Sequence, residues 1–366
     1  MALPRSVVYF PYIKVPPAPF MTRLLLYWEN VATIVPDQWA RLGPEGRRHM
    51  LGDFTSDLVD AGLVTMAVPT YDLHDSLSPF VEHLEKLSPE ELQRRADQFE
   101  NEDHVLVHKA KFVHHQVLPQ LKDMRLMAEA GDKDVVDLDP PEPWMWLLVE
   151  RTTAREFMAV LAQACADQAP GIDYLRVERP GGEPEHDPDM RQARVAATNR
   201  PDSLLALAEV DPEPERVRFL TRLHDVRARL LSEIFPAPAE PVTAEWILNA
   251  RKRFGDLLVE FRLAVEREAY DLVRQDPGPA QDWNIELVSE ELREKIRQIE
   301  EVLAGANIVK VEKVTFAVLK AIPGIGNVFS AAQAIADAAA DDAIGRPRID
   351  ARLAYGAFLR QELEAA

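Results

Sequence analysis

A single cysteine, Cys165, stands in 366 residues. No intrachain disulfide can form and no multi-cysteine zinc cluster can be built, so a reducing cytoplasm is the expected compartment. Positive charge is also short: 42 Lys and Arg face 61 Asp and Glu, a formal net charge of −19. Such a surface repels phosphate backbones and anionic headgroups at long range, which disfavours nucleic acid and membrane as partners. The opening Met1-Ala2-Leu3-Pro4-Arg5 lacks the basic-then-apolar pattern of a secretory signal, and no leader is expected.

Motifs that carry common chemistries are missing too. There is no Gly-x-x-x-x-Gly-Lys-Ser/Thr phosphate loop, no Gly-x-Gly-x-x-Gly fingerprint, no Gly-x-Ser-x-Gly elbow and no His-Glu-x-x-His helix. Gly324-Ile325-Gly326 follows Pro323 and reads as a turn. No cofactor and no metal ligand set are assigned from these patterns. Long apolar runs are absent as well. Residues 321–336 hold 16 uncharged positions, broken by Pro323-Gly324, where a spanning helix needs about 20. Their Ala and Gly content suggests a tight hairpin of 307–322 against 327–341. If any segment touches a bilayer it is 305–342, although Asp337, Asp341 and Asp342 oppose an anionic one.

What is present is a normal supply of core-forming residues: 47% are hydrophobic and 28% charged, the balance of a folded chain. Residues 6–14 and 63–68 read as strands, and 20–36 as a helix followed by a strand. Residues 44–61 have helical spacing and stop at Gly62. Ser88-Pro89-Glu90-Glu91 is a strong helix start, with Ser as cap and Pro in the first turn. Residues 104–112 alternate like a strand; 113–130 and 144–168 each read as one helix. Residues 179–189 form a polar loop, and 204–210 suit a strand. Beyond these, 214–235, 243–274, 289–303 and 307–322 are helical in period, Thr243 capping the second of them. The expected fold is therefore α+β and predominantly α-helical: a small N-terminal α/β unit over 1–138, a mainly helical domain over 139–304, and a C-terminal small-residue hairpin over 305–366.

Tyr9-Phe10-Pro11-Tyr12-Ile13, Leu25-Leu26-Tyr27-Trp28-Glu29 and Ile34-Val35-Pro36 resemble the opening signature of a bacterial family of unknown function. Phe235-Pro236-Ala237-Pro238, Ala250-Arg251 and Glu260-Phe261-Arg262 look like its later signature. The resemblance implies a bacterial origin and a shared fold, and it transfers no catalytic residue. Glu29 stands where that family usually has Asp, one methylene longer with the carboxylate kept.

Three constellations could carry chemistry. Asp103-His104, His108 and His114-His115 are the densest titratable group, and His104 and His108 share a face at i, i+4. Tyr27, Trp28 and Glu29 could set an aromatic wall beside a carboxylate. Arg251 and Arg262 lie on or beside an apolar stripe, where a buried arginine needs a carboxylate such as Glu29. With no catalytic spacing evident, the leading expectation is a cytoplasmic interaction or scaffolding protein with a protein partner or a second copy of itself. Deleting 305–366 is then expected to abolish that interaction. The alternatives are a hydrolase-type enzyme with a pocket near Tyr27/Trp28/Glu29 and His104/His108, and a toxin or defence effector with a membrane-active hairpin.

Overall fold

The computed structural model describes residues 6–10, 13–15, 17–135, 142–167, 194–196, 214–234, 242–275, 279–305 and 351–365. Along the chain run β1 (Ser6–Tyr9), α1 (Pro19–Tyr27), β2 (Asn30–Ile34), α2 (Asp37–Ala40), α3 (Pro44–Leu51), α4 (Asp53–Asp60) and β3 (Val64–Ala67). Then follow α5 (His74–Lys86), α6 (Pro89–Glu100), β4 (His104–His108), α7 (Val117–Asp123), β5 (Met127–Glu129), β6 (Trp146–Glu150) and α8 (Arg151–Asp167). β7 (Arg194–Ala196), α9 (Pro214–Ile234), α10 (Ala244–Phe254), α11 (Leu258–Val273), α12 (Pro279–Gly305) and α13 (Ala354–Ala365) complete it. The fold is α+β and mostly helical, as the sequence patterns indicate.

Two compact units divide the chain: 1–16 with 28–221, and 17–27 with 222–366. The expected boundaries at 138 and 304 fall inside them. Helix α1 belongs to the helical unit although it sits between two strands of the α/β unit.

In the α/β unit, strands β3, β2, β1 and β7 form an all-parallel sheet in that order. Val7, Val8, Val31, Ala32 and Ile34 are all sealed, as both faces of a parallel sheet require. A second, antiparallel sheet has the order β4, β6, β5, with His104 opposite Glu150 and His108 opposite Trp146. Helix α8 contributes Phe157 and Leu161 to one core with Val8, Ile34, Val107 and Val149. Phe157 stacks on Phe112 with ring centroids 4.4 Å apart.

Several elements differ from their sequence reading, each for a local reason. The helix expected over 44–61 breaks at Gly52, whose φ of 79° leaves the helical region, giving α3 and α4. The helix expected over 113–130 is only α7, followed by β5. Arg125 takes the left-handed conformation at φ 58°, while Leu126 N–H and Arg125 N–H reach back to Leu121 O and Lys122 O. This pair of bonds ends a helix as a C-terminal glycine does, here without the glycine that would announce it. Residues 146–150, expected to be helix, are β6. Glu150 is buried, and its carboxylate accepts from Thr152 N, Thr153 N and Thr153 Oγ1 at 2.9, 2.7 and 2.7 Å, which starts α8 there. Ser88 caps α6 as expected, accepting from Glu91 N at 3.1 Å.

In the helical unit, the expected helix over 243–274 is α10 and α11, separated by a single 3-10 turn at Gly255–Leu257. Thr243 caps α10 through Trp246 N at 3.1 Å. The stripe of Ile247, Phe254, Leu258, Phe261, Val265 and Leu272 is buried throughout. Helix α12 is longer than the expected 289–303. The readings made for 179–189, 204–210 and 307–341 lie outside the described residues.

Helix α13 inserts Tyr355 and Phe358 into this core, with Phe358 stacked on Phe254 at 4.8 Å. Gly356 makes that approach possible. A Cβ there would stand 3.0 Å from Phe261 Cε2 and 3.1 Å from Ile296 Cδ1. Gly356→Ala gains about 1 kcal/mol of helix propensity, which offsets the low end of a 1–3 kcal/mol overpacking cost. Gly356→Val has no such compensation. Chemical denaturation is expected to show the alanine variant close to wild type and the valine variant about 2 kcal/mol or more less stable.

Candidate functional site

The most concentrated set of potential ligands lies where strands of the α/β unit end. After β3, Pro69 and Thr70 lead into a 3-10 turn, Tyr71–Leu73; buried Leu73 anchors that turn and places His74 at the first position of α5. After β4, a second 3-10 turn, Lys109–Lys111, brings Phe112 onto Phe157 and sets His114 and His115 just beyond. The carboxyl ends of parallel strands are where open α/β sheets gather ligands, and His74 leaves such an end.

His74 Nε2 lies 2.8 Å from His115 Nδ1, and the rings of His74 and His114 stack with centroids 3.8 Å apart. One ligand atom from each of the three histidines falls within 4.8 Å of the others. His114 is buried, His74 half-buried and His115 exposed. Burial, with the neighbouring imidazoles His74 and His115, holds His114 below the usual histidine range. His74 Nδ1 stands 3.4 Å from Asp75 Oδ1, and His114 Nδ1 accepts from Gln116 N at 3.2 Å. Tyr71 packs its exposed ring 5.5 Å from His74.

His104 and His108 both lie on β4. A strand rises about 3.4 Å per residue, so their backbones stand roughly 13 Å apart and the pair cannot share one ion. His108 is buried between Trp39 and Trp146, at 5.5 and 5.1 Å, and its Nδ1 accepts from Ala110 N. Burial pushes it down to about 4, which keeps it neutral. His104 packs against Phe99. Cys165 is buried, and burial raises its thiol to about 12, so no thiolate nucleophile exists at neutral pH.

Tyr27 and Arg262 are buried in the helical unit, and Arg251 is half-buried there. Tyr27 Oη donates to Glu266 Oε1 at 3.0 Å, and Arg227 grips both Glu266 oxygens at 2.7 and 2.9 Å. The Arg262 guanidinium sits 5.5 Å from the centre of the Tyr27 ring. His224 beside this group is pushed down to about 3, first by burial and then by Arg227. Arg251 donates to Leu25 O at 3.3 Å and Tyr355 to Leu26 O at 2.6 Å, satisfying carbonyls that the end of α1 leaves open. These groups hold α1 in place. Tyr27 and Trp28 are both sealed from solvent, and Glu29 is half-buried. The carboxylate that Arg227 and Tyr27 share is Glu266, which the sequence reading did not single out; its position one turn after Arg262 on the buried stripe is the signal that could have found it.

A cleft of about 530 Å³ runs between α9 and α12. Arg229 and Glu233 line one side, with Trp283, Leu287, Glu290 and Arg293 on the other. No helix among the described residues is long and apolar enough to cross a membrane. Comparison with protein-family models, curated proteins and solved structures finds no match for this chain.

Proposed function

We propose that this is a cytoplasmic interaction protein that associates with a second copy of itself through the exposed side of α12 that borders its cleft with α9. The observation that carries this reading is the pair Trp283 and Leu287, 76% and 65% exposed and one helical turn apart. Exposed apolar side chains that join into one patch with a polar rim are the kind of surface that marks a contact site, and tryptophan is among the residues enriched at the energetic centre of such contacts. The rim carries both signs, with Arg229 on Asp282 at 2.6 Å and Arg293 beside Glu233 and Glu290. A two-fold contact places each sign against its opposite, which a chain of net charge −19 needs in order to self-associate.

The test is Trp283→Ser with Leu287→Ser. Light scattering over a concentration series is expected to give a dimer mass for the wild type and a monomer mass for the variant, as loss of about 2 kcal/mol at one hot spot alone weakens binding about 30-fold. Because both side chains are exposed, the variant should fold as the wild type does, which far-ultraviolet circular dichroism checks. A wild type that remains monomeric at high concentration ends the proposal. The deletion of 305–366 is the poorer test, since it would strip Tyr355 and Phe358 from the helical core.

A second reading, a hydrolase-type enzyme, is supported by the three imidazoles beyond β3 and β4 rather than by His104 and His108. The toxin reading rests on 305–342, nearly all of it outside the described residues.

A further inference from the structure

We propose that His74, His114 and His115 form a binding site for one divalent transition metal of the zinc class. The proposal does not depend on dimer formation. Imidazole nitrogens select Zn²⁺, Co²⁺, Ni²⁺ and Cu²⁺ over the hard, oxygen-seeking Mg²⁺ and Ca²⁺. Three protein ligands leave a fourth position for water, the arrangement of reactive rather than purely structural zinc sites.

The geometry is close to what an ion requires. Tetrahedral coordination at about 2.0–2.1 Å puts ligand nitrogens roughly 3.4 Å apart. Here the His74 and His115 nitrogens are 2.8 Å apart and all three ligand atoms fall within 4.8 Å, so the spacing suits one ion once the stacked His74 and His114 rings turn to bring their in-plane lone pairs onto it. The rings lie nearly parallel, at 15°, 12° and 4° to one another, and leave that stack when they bind an ion; two of the three are at least half-buried, which limits the side-chain entropy still to be lost.

Each ring also has a defined partner for its second nitrogen or a modest cost for releasing it. With His74 Nδ1–H directed at Asp75, Nε2 is its free lone pair, and a carboxylate behind a ligating histidine raises its basicity. The hydrogen bond from His115 Nδ1 to His74 Nε2 gives way when the proton of this exposed histidine moves to its Nε2. A neutral imidazole has one free lone pair, so His114 exchanges the 3.2 Å bond from Gln116 N for the ion.

The experiment uses the full chain, stripped with a chelator and dialysed against Zn²⁺ or Co²⁺. Elemental analysis is expected to return one zinc per chain, and Co²⁺ to give the intense visible bands of a four-coordinate site. His115→Ala, at an exposed position, and His74→Ala should each lower affinity by about 100-fold or more, and Asp75→Asn by about tenfold. His49→Ala, an exposed histidine elsewhere, should change nothing. Far-ultraviolet circular dichroism of the apo variants checks that they fold. Binding of less than about one ion, Co²⁺ bands of a six-coordinate aquo complex, or zinc retained in a folded His74→Ala/His115→Ala variant would each overturn the proposal.

Discussion

Glu266→Ala is expected to be the most damaging single substitution in the helical unit, costing about 3–5 kcal/mol, which is much of the stability of an ordinary domain. The carboxylate neutralises buried Arg227 through two bonds of 2.7 and 2.9 Å and accepts a third from the Tyr27 hydroxyl at 3.0 Å. Removing it takes two charge-assisted hydrogen bonds from a buried guanidinium and one hydrogen bond from a buried phenol. Hydrophobic burial lost with the side chain is small by comparison, so the penalty is electrostatic. Replacing both partners tests that cause. Arg227→Met with Glu266→Leu should recover most of the loss, because an apolar pair of similar volume has no charge to desolvate. Urea unfolding followed by circular dichroism distinguishes the cases; a double variant as unstable as Glu266→Ala would show that packing, and not the uncompensated charge, governs the site.

The α/β unit has an equivalent point at Arg95. Its guanidinium donates to Glu156 at 2.6 and 2.8 Å, to Thr153 at 3.2 Å and to Glu91 at 2.7 Å, tying α6 to α8. Arg95→Leu is expected to cost about 3–5 kcal/mol by taking both guanidinium bonds from the buried Glu156 carboxylate and leaving it only the approach of His83 at 3.4 Å. The pair also sets an acid response. Burial alone would raise Glu156, but His83, its Nε2 3.4 Å from the carboxylate, and the hydrogen bonds from Arg95 outweigh it and hold the carboxyl below its usual range. Hydrogen bonds from Arg94 and Arg95 bring Glu91 from 4.5 to about 2. A depressed folded pKa means the carboxylate stabilises the fold above its unfolded value and ceases to do so as pH falls through the folded one. Wild-type stability should therefore decline between pH 4.5 and about 2. Arg95→Leu should show a shallower decline over the same interval. Unfolding midpoints measured across that range in both proteins decide the matter, and parallel curves would remove Arg95 from the explanation.

Elements with strong local signals were legible. Ser88-Pro89-Glu90-Glu91 and Thr243 start helices where the residue chemistry places them, since a cap acts through bonds three residues away. Gly62, at φ 75°, ends α4 for the same kind of reason. Misreadings came where a long-range partner chose between states that the residues allow equally. Trp146-Leu147-Leu148-Val149-Glu150 is an apolar block compatible with helix or strand, and pairing with both β4 and β5 made it a strand. Residues 127–129 became strand by pairing with the same block. Of the site residues, His114-His115 stood out as a pair, but nothing near His74 announced a third ligand.

By itself the sequence determined the fold class, the caps and most stripes, the absence of disulfide chemistry and the strongly negative charge. These follow from composition and from interactions within a few residues. Only the tertiary structure decided that α1 belongs with the helices, that Glu266 answers Arg227 across 39 residues, and that His74 meets His115 across 41. Such contacts depend on which apolar faces bury together, and the chain between them carries no local pattern that specifies the meeting.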